Sequence, residues 1–135
     1  MNLIIDQNRV LKSIQEDFQL HFPYLMIEFY SQTHLQGEGS PKKYQLKNTL
    51  TIAQAQNHQK DGIIHISPDM KVSNLENIFE DIFGLHIQIL RQSGKIWLQT
   101  ITTDHLTLSE QNIMGLEMSL PIENKSEIQD YHEQL

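Results

Sequence analysis

Apolar residues recur at two periods along this chain, and the switch from one to the other marks out the elements. Val10, Leu11, Ile14, Phe18 and Phe22 keep helical spacing, with Asp6 placed as a cap and Pro23 as a stop. YLMIEFYS then alternates, with Leu25, Ile27 and Phe29 on one face, and predicts a half-buried strand. A short helix fits roughly Leu50 to Gln59, and IIHI at 63–66 reads as a strand that Pro68 ends. Ser73-Asn74-Leu75-Glu76 has the form of a capping box, the Ser hydroxyl and the Glu carboxylate each serving a free amide. Leu75, Ile78, Phe79 and Ile82 continue it as a helix that Gly84 can close.

LHIQILRQSGKIWLQTITTD holds two alternating runs joined at Ser93-Gly94, a hairpin signal that pairs Gln92 with Lys95. In that register Leu85, Ile87 and Ile89 share a face with Ile96 and Leu98. The other face carries His86, Leu90, Trp97 and Ile101, which is too apolar to be left to water. Either the chain's own loop or tail covers it, or a second copy does. Thr107-Leu108-Ser109-Glu110 is a second capping box, opening a helix through Ile113, Met114 and Leu116 that is expected to weaken at Gly115 and break at Pro121. The acidic segment 121–135 is either one more amphipathic helix, lined by Ile128, Tyr131 and Leu135, or disordered. These elements predict an α+β fold: a two-layer sandwich with a small, mainly antiparallel or mixed sheet and helices chiefly on one face, over a single domain at 1–120.

A weak echo runs through the pattern. LKSIQEDF at 11–18 and LENIFEDI at 75–82 share L-x-x-I-x-E-D-apolar, and each precedes a strand. An old duplication and ordinary amphipathic patterning both explain it.

Composition narrows the function classes. Seventeen acids against ten bases give a net charge of −7, which opposes generic binding to nucleic acid. No cysteine is present, so disulfides, thiolate metal sites and a Cys nucleophile are excluded. No apolar run approaches the ~20 residues that cross a bilayer, and the opening residues lack an export signal, so the expectation is a cytoplasmic protein with no membrane role.

Candidate chemistry is sparse. HLQGEGSPKKY at 34–44 has glycines and a lysine pair, but no apolar-periodic helix follows and Pro41 removes one amide donor, so a phosphate cradle is the lesser reading. If a ligand binds there, His34, Glu38, Lys42 and Lys43 are its candidate contacts, with Asp104 and His105 as an acid–imidazole pair at the end of a strand. The seven histidines show no paired ligand spacing, and no metal or other cofactor is expected. Glu16-Asp17 and Glu80-Asp81 read as solvated helix faces, because neighbours on a helix diverge. The span Lys71–Gly115, with FPYLMIEFY and GEGSPKK before it, resembles a group of small bacterial proteins of unassigned function. That resemblance implies a bacterial, cytoplasmic origin and supplies no site. The expectation is therefore a non-enzymatic interaction or regulatory module, a homo-oligomer joined through His86, Leu90, Trp97 and Ile101. The alternative is a small-molecule or anion-binding protein, a hydrolase included, built on the 34–43 connection with Asp104 and His105.

Overall fold

Among the described residues, two antiparallel sheets and four α-helices form a two-layer α+β fold. The computed structural model describes residues 1–34 and 38–120, so the helix-or-tail reading of 121–135 and the break at Pro121 fall outside the described residues. In chain order the elements are β1 (Asn2–Ile5), α1 (Leu11–His21), β2 (Leu25–Tyr30), α2 (Ile52–Ala55), β3 (Gly62–His65), α3 (Val72–Phe83), β4 (His86–Ser93), β5 (Ile96–Gln99) and α4 (Leu108–Ser119). A short 3₁₀ turn, Lys42–Tyr44, precedes α2.

The strands divide between two sheets, where the pattern suggests one. β2, β4 and β5 form a three-stranded sheet in the order β2-β4-β5, while β3 pairs with β1 in a separate ribbon. β1 has no clear alternation and no turn ahead of it, so nothing in MNLIID marks it as a strand. With β1 unseen, β3 could as well lie beside β4, and only the ladder decides between them.

The inner faces explain why the layers hold together. Ile27 and Phe29 of β2 stand opposite Ile89 and Ile87 of β4. The Phe29 ring meets Phe79 of α3 edge-on, with centroids 6.2 Å apart. Leu3, Ile5 and Ile64 of the ribbon join the same continuous apolar cluster, so both sheets share one core.

The β4–β5 turn differs from its expected form by one residue. Ser93 pairs with Ile96, and Gln92 with Trp97, so Gly94 and Lys95 make the turn. A two-residue hairpin turn of the favoured types needs a positive φ at its first central position. Gly94 supplies it at +61°, whereas a turn on Ser93-Gly94 would demand it of a serine. The facing assignment survives, since the slip in pairing is even. Leu90, however, stands opposite Gln99 and not Trp97.

Three helix features also differ from expectation. Asp6 does not cap α1; its carboxylate accepts from the Asn8 amide in the preceding turn, and Val10 takes the cap position with no side-chain bond. Ser73 and Glu76 do not cap α3, which starts after Lys71, so both lie inside the helix. α4 does not weaken at Gly115, because it packs there so closely on the start of β2 that a Cβ would fall 2.7 Å from Tyr24 Cβ. The capping box of Thr107 and Glu110 is present, and a second one, Thr51 with Gln54, opens the short α2.

The main-chain bonding repeats within the chain. Leu11 N–H donates to Leu50 O and Lys12 N–H to Asn48 O, while Val72 N–H donates to Leu106 O and Ser73 N–H to Asp104 O. In the return direction Ile52 N–H donates to Arg9 O and Ala53 N–H to Gln7 O, matched by Leu108 N–H to Met70 O and Ser109 N–H to Pro68 O. Bridges Val10–Thr51 and Lys71–Thr107 complete the correspondence. Two halves, β1-α1-β2-α2 and β3-α3-β4-β5-α4, thus face each other about an approximate two-fold axis, with β1 on β3 and β2 on β4.

Candidate functional site

β4 has eight residues and β5 four, and the difference leaves part of the β4 edge without a neighbouring strand. The last rung is Thr100 N–H to Ile89 O, at 3.1 Å. Alternate residues of an antiparallel strand turn both main-chain groups to the same side, so the Ile89 N–H and the Ile87 C=O also point to that edge. Buried and unanswered, each would cost on the order of 1–3 kcal/mol. Side chains answer them. Glu76 Oε2 accepts from Ile89 N–H at 3.2 Å, and His34 Nε2 lies 3.1 Å from Ile87 O.

These two side chains border a cavity of about 20 Å³ lined by Thr33, His34, Ser73, Glu76, Asn77, Glu80, His86, Ile87 and Asp104. That is room for one water molecule. Residues 76 and 80 are neighbours on one face of α3. His34 arrives from the chain after β2, and Asp104 from the turn after β5. His34 Nε2 is 3.9 Å from Glu76 Oε2, and both side chains are almost fully enclosed. His86 Nδ1 is 3.1 Å from Glu80 Oε1, and its Nε2 is 3.0 Å from the Asn57 amide nitrogen. Because that amide can only donate, Nε2 accepts and Nδ1 carries the proton toward Glu80.

Burial dominates the electrostatics. Loss of hydration raises the Glu76 carboxyl to about 7; His34 and the Ile89 N–H oppose the rise, and Asp104 and Glu80 add to it. Burial also raises Glu28, against hydrogen bonds from Gln15 and Gln45.

The candidate ligand residues separate. His34 and Asp104 meet at the cavity. Glu38 instead lines an adjoining cleft of about 260 Å³ with Tyr30, Ser40 and Tyr44, which also reaches Thr33 and His34. Lys42 and Lys43 are exposed, the Lys43 ammonium resting 5.0 Å from the Tyr44 ring centre. His105 is exposed as well. Glu76 and Glu80 escape a reading of the sequence for specific reasons. Glu76 fits a cap, and Glu80 fits a solvated pair with Asp81. Only the packing of α3 against the β4 edge turns both inward. Among the described residues no group of three or more acidic or histidine side chains is arranged to hold a metal ion.

One end of the outer sheet face is covered by the 38–40 segment of the chain itself. Ser40 Oγ bonds Gln88 Oε1 at 3.2 Å, and Gln99 Nε2 donates to Ser40 O at 2.9 Å. Gly39 packs against Ile101, and Leu90, Trp97 and Ile101 are each half-buried. His86, expected on a free interface with them, is held by Glu80 and Asn57.

Exposure is concentrated elsewhere on the hairpin. Ile96 and Leu98 of β5 are 59% and 41% exposed, and Met118 of α4, whose carbonyl accepts from Gly94 N–H, is 53% exposed. The rung at Thr100 fixes the alternation along β5, so Trp97 and Gln99 direct their main-chain groups away from β4. No described residue bonds those groups. The opposite edge of the sheet is closed: Gln15 Nε2 donates to Ile27 O, Leu46 N–H to Phe29 O, and Ser31 N–H to Tyr44 O. Comparison with models of known protein families, with curated proteins and with solved structures finds no match. No described helix is long and apolar enough to cross a membrane.

Proposed function

We propose that this protein is a non-enzymatic interaction module that self-associates by adding a second copy of itself along β5. The observation that carries the reading is the open β5 edge, with outward main-chain groups at Trp97 and Gln99 between exposed Ile96 and Leu98. An unpaired apolar edge is a template for another strand. Antiparallel pairing of two identical edges is self-complementary, as a two-fold interface requires. If Trp97 of one copy bonds Gln99 of the other, Leu98 faces its own counterpart on the axis. Trp97 stays at the interface on the opposite face, while His86 takes no part in it.

The β1–β3 ribbon is a weaker competitor. Ile4 and Ile63 stand opposite each other and are each 53% exposed. Arg9 already occupies the Ile4 carbonyl, and Lys60 and Asp61 flank β3, devices that discourage edge pairing.

Sedimentation across a concentration series tests the proposal. Wild type is expected to dimerise, Leu98→Lys to stay monomeric with unchanged thermal stability, and Ile63→Lys to dimerise normally. A wild type that remains monomeric at high micromolar concentration disposes of it. The cysteine-free chain also allows Leu98→Cys to be oxidised: facing Cα atoms about 4.5 Å apart suit a disulfide.

A second reading, ligand binding around His34 and Asp104, is favoured by their meeting at one cavity. Three carboxylates line that cavity, which disfavours an anion and leaves a small neutral or cationic group as the class. Thermal shifts with ammonium, amines and phosphate at millimolar concentration test it, and no shift with any of them removes it.

A further inference from the structure

The two halves serve as internal controls for each other, and the differences between them fall at one place. Matching by the repeated main-chain bonds sets Leu11 against Val72, Ile14 against Leu75, Phe18 against Phe79 and Phe22 against Phe83, all buried. The same match sets Gln15 against Glu76, Gln19 against Glu80 and Asn48 against Asp104. Three amides of the first half are replaced in the second by the carboxylic acids of the same length. On the strands, Met26 is matched by His86 and Ile27 by Ile87.

The chemistry at the first of these positions explains His34. Gln15 Nε2 donates to Ile27 O at 2.7 Å, and Asn48 Nδ2 donates to Gln15 Oε1 at 3.3 Å. One amide serves the strand edge with its own N–H. The Glu76 carboxyl at the matching position accepts from Ile89 N–H, and once ionised it has no proton to give to Ile87 O. His34 supplies that donor, at 3.1 Å.

We infer that the domain is a fused duplication, and that its second half has exchanged an amide network for a proton-dependent latch in which His34 and Glu76 together fasten the chain leaving β2 to the edge of β4. The groups facing Glu76 are Glu80 from its own helix, His86 from β4, Asp104 from the turn after β5 and His34 from the chain after β2. The cavity lining contains no lysine or arginine. While the His34–Glu76 pair keeps a proton, the enclosed charge is limited. When the proton leaves, the buried Glu76 and Asp104 carboxylates lie together, with the part-exposed Glu80 beside them, and hydrating Glu76 requires His34 to withdraw. The latch therefore loosens as pH rises past neutrality, in line with the burial that raises the Glu76 carboxyl.

The full chain provides the test, through His34→Ala, Glu76→Gln and the double variant, with unfolding equilibria at pH 5, 7 and 8. In wild type at pH 7, losing His34 lowers the folding constant roughly tenfold, the size of one buried hydrogen bond. In the Glu76→Gln background the loss falls below about threefold, because the amide introduced there can donate to Ile87 O as Gln15 does to Ile27 O. The dependence on pH between 5 and 8 flattens in the same background. Equal costs of His34→Ala in both backgrounds, or an unchanged pH slope, overturn the inference. Carbon-13 titration of the Glu76 carboxyl in wild type gives a readout that needs no variant. A midpoint near neutrality supports the latch, and one in the ordinary carboxylate range removes it.

Discussion

The first half of the molecule and the second solve the same structural problem with different chemistry. Each must answer main-chain groups along the edge of its central strand. The first does so with Gln15 and with the 44–46 segment, and its edge is closed. The second does so with Glu76, His34 and β5, leaving a partly enclosed acid cluster and, among the described residues, a strand edge without a partner beyond it. Since the fold is common to both, the fold does not require the acids. The features that distinguish the second half, buried ionisable groups and an unpaired edge, are where function is to be sought.

The equivalence of the cores is the part with the largest energetic consequence. Phe18→Ala and Phe79→Ala are each expected to cost about 3–5 kcal/mol in urea unfolding, because both rings are fully enclosed in one cluster. Costs differing by more than about 2 kcal/mol would break the correspondence of the halves.

The acid–amide exchange comes next. The folded Glu76 carboxyl holds its proton up to about 7, against an ordinary 4.5. Protons therefore favour the folded state. That contribution is complete below the ordinary carboxyl value and is lost as pH rises through about 7, a change on the order of 3 kcal/mol. Stability of wild type should fall between pH 5 and 8, and Glu76→Gln should exceed wild type at pH 8. The reverse exchange, Gln15→Glu, should cost roughly 1–3 kcal/mol at pH 7, since Ile27 O loses its donor. Calorimetry across pH reads both.

Smaller effects separate the helix starts. Thr51→Ala and Thr107→Ala each remove one capping box, worth about 1 kcal/mol. Thr107 should matter more, because twelve helical residues of α4 follow it and only four of α2 follow Thr51. The smallest effect on the monomer belongs to Leu98→Lys, expected within about 0.5 kcal/mol at a position already 41% exposed. Its consequence should appear in sedimentation alone.

Much of the fold can be read directly from the pattern. The periodicity of α1, α3 and α4, the alternation of β2, and the strand-turn-strand run of β4 and β5 are local signals, each carried by contiguous residues. The hairpin register differs by a slip of the turn, and the physical cause, φ at the first turn position, is also local; Gly94 is legible once that requirement is applied. The duplication is audible in the wrong register. The L-x-x-I-x-E-D match sets Leu11 against Leu75, whereas the bonding sets it against Val72, three positions earlier and nearly a full helical turn.

The candidate site is much less legible. His34 and Asp104 stand out in the sequence, but for chemistry with Lys42, Lys43 and His105, which the structure leaves exposed and apart. Glu76 has an adequate local explanation as a cap, and that explanation conceals it.

By itself the sequence determined the element types, the apolar faces and the exclusions that follow from having no cysteine, because these depend on neighbours along the chain or on composition. Tertiary structure alone decided that β3 pairs with β1, that β5 stops short on β4, and that Glu76 turns inward beside His34. Those outcomes depend on main-chain groups far apart in sequence that must be satisfied when water is excluded, and no local pattern records which side chain will reach them.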